Sequence, residues 1–113
     1  MSANKSFSTE TSERYSRALF EVASEAGELN KVETDIKAFQ SLLKNSNEIN
    51  NFIHNPSQSI ENQKNFISLI SKNLNLSKNL ENFLNLLIEK RRIFFVIKII
   101  DSFLKLCMKK EEN

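Results

Sequence analysis

The fold is decided by residues 82–93, which read Asn-Phe-Leu-Asn-Leu-Leu-Ile-Glu-Lys-Arg-Arg-Ile. In and just before this stretch, apolar side chains recur three and four positions apart at Leu80, Phe83, Leu84 and Leu87. This spacing places side chains on one face of an α-helix, and Ser77 stands before it as a candidate N-cap. The stretch therefore predicts an amphipathic helix over residues 78–90, which other helices must cover because packing supplies most helical stability.

Five further segments carry the same spacing, so the sequence predicts six helices. The other five are predicted over residues 12–26, over 28–44, between Ser46 and the His54-Asn55-Pro56 turn, after a cap at Ser57 or Ser59, and over 92–109. With one Gly and one Pro among 113 residues, the chain lacks the turn residues that many short strands would need. The predicted fold class is all-α, a compact bundle of six helices.

The spacing also predicts which side chains of the first and sixth helices are buried. They are Tyr15, Ala18, Leu19, Val22, Ala23 and Ala26 in the first, and Ile93, Ile97, Ile100, Leu104 and Cys107 in the sixth. Gly27 is expected to end the first helix, since glycine accepts a left-handed backbone at low cost. Residues 89–92, Glu-Lys-Arg-Arg, contain neither Gly nor Pro, so local sequence is also compatible with one long helix there.

The predicted organisation is a flexible N-terminal segment at residues 1–11, one helical domain at 12–110 and a tail at 111–113. The net charge is +2 with the signs interspersed, which gives no broad electrostatic footprint for nucleic acid or membrane. The N-terminus does not read as a secretory signal, and no apolar run reaches the ~18–20 residues of a membrane span. Direct membrane insertion is not expected.

Residues suited to catalysis or metal binding are scarce. His54 is the only histidine and Cys107 the only cysteine, so no nucleophile can be matched to a base by spacing and no cysteine-based metal site or internal disulfide can form. His54 is expected to be a turn residue beside Pro56 and not a metal ligand. The sequence favours a non-catalytic protein without cofactor or metal.

A basic cluster at Lys90, Arg91 and Arg92 leaves an alternative open. With Lys98 it could contact phosphates, as in a small RNA-binding helical bundle. We favour a structural or docking role, because cations near a helix C-terminus interact favourably with the helix dipole and no aromatic platform is interleaved with them. A self-associating structural bundle is a third possibility.

Two helix flanks are candidate walls of a groove for a partner helix. Leu86 shares a flank of the fifth helix with Phe83 and Lys90, beside the centre of its core face. Tyr15 and Ala18 lie along an edge of the first helix, where the small Ala18 would let another helix approach closely. Periodicity alone favours the simpler interpretation that these residues complete the core of the domain.

Three ordered motifs resemble the N-terminal domain of the ATP synthase delta family, called the oligomycin-sensitivity-conferring protein in mitochondria. Residues 15–20, Tyr-Ser-Arg-Ala-Leu-Phe, resemble the family's Tyr-Ala-x-Ala-Leu-Phe, and residues 82–87 resemble its Asn-Phe-Leu-x-Leu-Leu. Between them, residues 52–56, Phe-Ile-His-Asn-Pro, resemble its Phe-Leu-x-Asn-Pro turn, and Lys64 falls where a Lys commonly follows. The resemblance covers residues 12–110, with departures at Ser16 and at 90–93.

The resemblance implies a break between the fifth and sixth helices, and a non-catalytic stator subunit of the peripheral stalk. In that family a groove between the first and fifth helices takes the N-terminal helix of an alpha subunit. The implied groove contacts are Tyr15, Ala18, Val22, Phe83 and Leu86, with Lys90 at the rim. We expect an isolated domain without the C-terminal region that engages the stalk b subunits. The implied location is peripheral, on the cytoplasmic face of a bacterial inner membrane or the matrix side in mitochondria.

Overall fold

The computed structural model describes residues 6–112, of which Glu111 and Glu112 are described by their backbone alone. In this part of the chain all regular structure is helical, which confirms the all-α bundle of six helices. The helices are α1 (Phe7–Glu25), α2 (Leu29–Asn45), α3 (Asn47–His54), α4 (Ile60–Leu74), α5 (Lys78–Glu89) and α6 (Val96–Glu112), with a 3-10 turn at Ile93–Phe95 before α6.

Serine side chains cap four of these helices at their N-termini. Ser6, Ser46, Ser59 and Ser77 each accept a hydrogen bond from the backbone N–H three residues later, at 3.0–3.2 Å. The caps at Ser46 and Ser77 confirm the prediction, and Ser59 is the cap of α4. The predicted start of α1 at Ser12 was wrong, because the Ser6 cap lets the helix begin at Phe7. The rest of the predicted N-terminal segment, residues 1–5, lies outside the described residues.

Three helices end at a residue with a left-handed backbone. These residues are Gly27, Asn75 and Arg91, with φ of 70°, 54° and 56°. After α5, the Arg92 N–H donates to the Leu87 carbonyl at 2.7 Å and the Arg91 N–H to the Ile88 carbonyl at 3.0 Å, the pair of bonds of a Schellman motif. This motif separates the fifth and sixth helices, and the 3-10 turn delays the start of α6 to Val96 instead of residue 92.

Side-chain contacts give the directions of two helix pairs. Ser8 contacts Lys98, Ser16 contacts Ser102 and Phe20 contacts Phe103, so the residue numbers rise together and α1 runs parallel to α6. Lys64 pairs with Glu89 and Ser71 bonds Glu81, so α4 and α5 run antiparallel.

A buried carboxylate joins α2 to the connection between α4 and α5. Asp35 is 3% exposed, and its two oxygens accept hydrogen bonds from the Ser77 backbone N–H at 2.7 Å and from the Lys31 ammonium at 3.0 Å. Lys31 also donates to the Asn75 carbonyl at 2.8 Å. A buried charge must be paired and hydrogen-bonded, and here the pairing fixes where α5 begins.

The buried face of α1 differs from the predicted stripe. Leu19 and Ala23 are buried as predicted, but Ala18, Val22 and Ala26 are exposed and Tyr15 is half-buried. Their places in the core are taken by small polar residues, which are Thr11, Ser12 and Ser16. The Ser16 hydroxyl lies 2.7 Å from that of Ser102 and donates to the Glu13 carbonyl at 2.9 Å. Small hydroxyl side chains allow α1 and α6 to approach closely, so the helix is rotated relative to the prediction.

The core face of α6 is also shifted. Ile93, Ile100 and Cys107 are buried as predicted. Ile97 is 42% exposed, which corrects the prediction, and Leu104 is half-buried. The buried positions of this helix that the prediction missed are Val96, Ile99 and Phe103. The helix pairs with α1 through the side that carries Phe103 and Ser102, and this contact decides which apolar residues face inward.

Replacing Gly27 with alanine is expected to destabilise the fold by about 1 kcal/mol, measured by urea unfolding. A Cβ at this position would meet no atom within 4 Å, so the loss comes from the positive φ alone. Gly27→Asn is the matched control, since asparagine tolerates this conformation better and should lose less. Equal stability of the alanine variant and the parent would contradict the backbone argument.

Candidate functional site

The candidate site lies where α1 meets α5. The rings of Tyr15 and Phe83 meet edge to face, with centroids 6.3 Å apart and an interplanar angle of 69°. Near the end of α1, the Asn79 amide donates to the Glu28 carboxylate at 2.9 Å. The structure therefore brings together the two helix flanks on which the sequence placed a groove.

Apolar side chains next to this contact face solvent. Tyr15, Ala18 and Val22 form one row at helical spacing on α1, and Phe83, Leu86 and Lys90 form another on α5. Ala18 is exposed, Val22 is 47% exposed and Leu86 is 39% exposed, whereas Phe83 is only 9% exposed. We call this surface the α1/α5 face. Its floor is the Tyr15–Phe83 contact, and its accessible apolar groups are Ala18, Val22 and Leu86.

Two positively charged residues, Lys90 and Arg14, lie beside the apolar rows. Lys90 is exposed at the C-cap of α5, where its backbone N–H bonds the Leu86 carbonyl at 3.0 Å. The Arg14 guanidinium lies 6.0 Å from the centroid of the Tyr15 ring, close enough for a cation–π attraction. Sequence reasoning missed Arg14, although it lies four positions before Ala18 and so on the same side of α1.

The α1/α5 face has the chemistry of a helix-binding surface. Its apolar groups repeat at helical spacing on two packed helices, and the small Ala18 leaves room for a third helix to come close. A lysine and an arginine at the edge would attract acidic side chains.

Three of the four cations of the RNA-binding alternative contact groups in two different parts of the chain. Arg91 donates to the Gln58 carbonyl at 2.9 Å, beside the α3–α4 connection. Arg92 instead lies over the Phe7 ring, 5.6 Å from its centroid, and Lys98 donates to the Ser8 hydroxyl at 2.7 Å, both at the start of α1. A continuous phosphate-binding track would need these charges side by side.

The remaining candidate features are a metal site, the histidine His54 and a membrane-spanning helix. Among residues 6–112, no group of three or more His, Cys, Asp or Glu side chains is arranged to hold a metal ion. His54 lies in the last turn of α3, and its Nδ1 donates to the Asn50 carbonyl at 2.8 Å. A search of the same part of the chain for a helix long and apolar enough to cross a membrane finds none.

Comparison with protein families gives a match over residues 11–113 to the ATP synthase delta (OSCP) subunit family. The chain belongs to this family. A delta subunit of Pelagibacter ubique is 41% identical to it over 107 residues, which are 95% of this chain and 58% of that protein. A delta subunit of Nostoc is 36% identical over 91% of this chain and 55% of its own length, and a chloroplastic delta subunit of Galdieria sulphuraria is 37% identical over 80% and 50%.

The family match confirms the resemblance that the three sequence motifs predicted. This chain spans about half the length of the delta subunits that it matches.

Truncation of Leu86 on the α1/α5 face is expected to leave the fold stable. Leu86→Ala should cost less than about 1 kcal/mol of unfolding free energy, because the side chain is already partly in water. Leu84→Ala, two residues away in the same helix but 1% exposed, should cost about 2–5 kcal/mol through the cavity that it leaves. Helix propensity cancels in this pair, so urea unfolding of both variants measures burial. Equal losses would mean that Leu86 belongs to the core.

Proposed function

We propose that this chain is a non-catalytic docking domain of the peripheral stalk of an F-type ATP synthase. In this proposal the α1/α5 face binds the N-terminal helix of an alpha subunit. The observation that carries it is the group of solvent-facing apolar side chains beside the Tyr15–Phe83 contact, which are Ala18, Val22 and Leu86. Membership of the delta family supports this choice of partner.

Binding would draw its free energy from a few anchors. Val22 and Leu86 expose apolar surface that a partner helix would remove from water, at about 25 cal/mol per Å². Tyr15 adds a hydroxyl to a flat ring, and such aromatic residues are frequent at interface hot spots. Lys90 would pair with an acidic side chain at the rim, where an exposed ion pair contributes little affinity but helps to set orientation.

The proposed role in the enzyme is mechanical. The delta subunit would hold the catalytic head to the stalk so that the head does not turn with the rotor. This domain would supply the contact with the head, and the stalk b subunits would be engaged by the part of the delta subunit that this chain does not span. The assembly would lie at the membrane through its partners, on the cytoplasmic side in bacteria or the matrix side in mitochondria.

The test is a calorimetric titration of the chain with a peptide of the first ~25 residues of the alpha subunit from the same organism, long enough for several helical turns. We expect saturable binding at a one-to-one ratio. Tyr15→Ala and Leu86→Ala should each lower the affinity by about 1–3 kcal/mol if the residues are anchors.

Leu69→Ala is the matched control for Leu86→Ala. Leu69 is an exposed leucine of α4 on the side away from the buried Ile67 and Ile70, so its loss should leave affinity unchanged. Unchanged binding by the Tyr15→Ala, Leu86→Ala double variant would contradict the placement of the site. Absence of binding together with salt-sensitive RNA binding would instead favour the RNA alternative.

A further inference from the structure

A second concave surface lies between the α3–α4 connection and the start of α6. It has a volume of about 410 Å³. Its apolar lining comes from Ile53, Pro56, Ile93 and Phe94, and its polar lining from His54, Asn55, Gln63 and Arg91. This volume falls within the ~300–1,000 Å³ of typical ligand pockets. None of the six residues proposed for the α1/α5 face lines it. We call it the Phe94 cleft.

Phe94 gives the cleft an exposed aromatic wall. Its side chain is 51% exposed, and its ring lies 4.3 Å from that of Phe95 between centroids. Isolated exposed apolar residues are ordinary on protein surfaces. Here the exposed ring borders a concavity that is also lined by two buried core residues, Ile53 and Ile93. An apolar group entering the cleft would therefore contact a rigid surface and remove part of Phe94 from water.

Gln63 supplies a buried polar group at the same place. Its side chain lines the cleft and is 4% exposed, and its Oε1 has no hydrogen-bond partner among the described residues. A buried acceptor without a partner is unfavourable, because it has lost its hydrogen bonds to water. If the amide turns toward the cleft, a ligand that brings an N–H donor, such as a peptide backbone, would satisfy it.

Arg91 places a positive charge at the edge of the cleft. It lines the concavity from the left-handed position that ends α5, and its Nη1 donates to the neutral Gln58 carbonyl at 2.9 Å. This bond orients the guanidinium without neutralising it, and most of its five N–H donors remain for another acceptor. The guanidinium keeps its positive charge, so an acidic group is the complementary ligand.

We propose that the Phe94 cleft docks a short acidic peptide segment of a partner protein. The segment would insert one large apolar side chain against Phe94, donate a backbone N–H to Gln63 and place a carboxylate on Arg91. Charge complementarity favours this occupant over a purely apolar segment. The proposal is independent of the α1/α5 face, because the two surfaces share no lining residue.

The test begins with selection of a phage-displayed library of random twelve-residue peptides on the parent chain. Peptides that also bind the Arg91→Gly variant are removed by counter-selection. Arg91→Gly deletes the guanidinium but keeps a residue suited to positive φ, so the variant should fold. We expect the enriched peptides to place Asp or Glu next to Phe, Leu or Trp. Absence of enrichment, or enrichment without acidic residues, would overturn the proposal.

The best selected peptide is then titrated into the isotopically labelled chain and followed by NMR. The methyl signals of Ile53 and Ile93 should shift saturably, and the affinity should fall by about tenfold in Arg91→Gly. Lys109→Gln, which removes one positive charge from the exposed end of α6, is the matched control and should bind like the parent. Shifts centred on the α1/α5 face, or equal binding by Arg91→Gly, would overturn the proposal.

Discussion

The close contact between α1 and α6 is the constraint on which the rest of the molecule depends. The hydroxyls of Ser16 and Ser102 lie 2.7 Å apart across it, which only small side chains on both helices allow. This contact fixes the rotation of α1, so that Leu19 and Ala23 point into the core. The same rotation turns Ala18 outward, and the apolar edge of α1 is thus a consequence of how its polar residues pack.

The second wall of the proposed groove is α5, which is positioned by contacts with α2 and α4. The Asp35 carboxylate binds the Ser77 N–H, which fixes the start of α5, and Glu89 near its end pairs with Lys64 of α4. Phe83 is buried in the core while touching Tyr15 at the surface. Both walls are thus positioned before any partner arrives. Such preorganisation lowers the ordering cost of binding and is consistent with the mechanical role proposed for this domain.

The sequence predicted most of this fold because most of its signals are local. The apolar period of α5 and the caps at Ser46 and Ser77 depend only on neighbouring residues. The burial of Ser16 depends on a partner 86 positions away, so periodicity assigned the wrong residues to the core of α1. The left-handed backbone of Arg91 could not be predicted from the sequence either, because arginine has no preference for that conformation. The family resemblance correctly implied the helix break after α5 and assigned the proposed groove to α1 and α5, whereas the Phe94 cleft had no sequence signal.

The central claim is that a partner helix lies along the α1/α5 face. The most direct measurement attaches a spin label to the middle of the alpha-subunit peptide and records which signals of the isotopically labelled chain it broadens. A partner helix on the α1/α5 face should broaden the signals of Ala18, Val22 and Leu86 and leave the signal of Leu69 on α4 unaffected. Broadening centred on Phe94, or spread evenly over the surface, would contradict it.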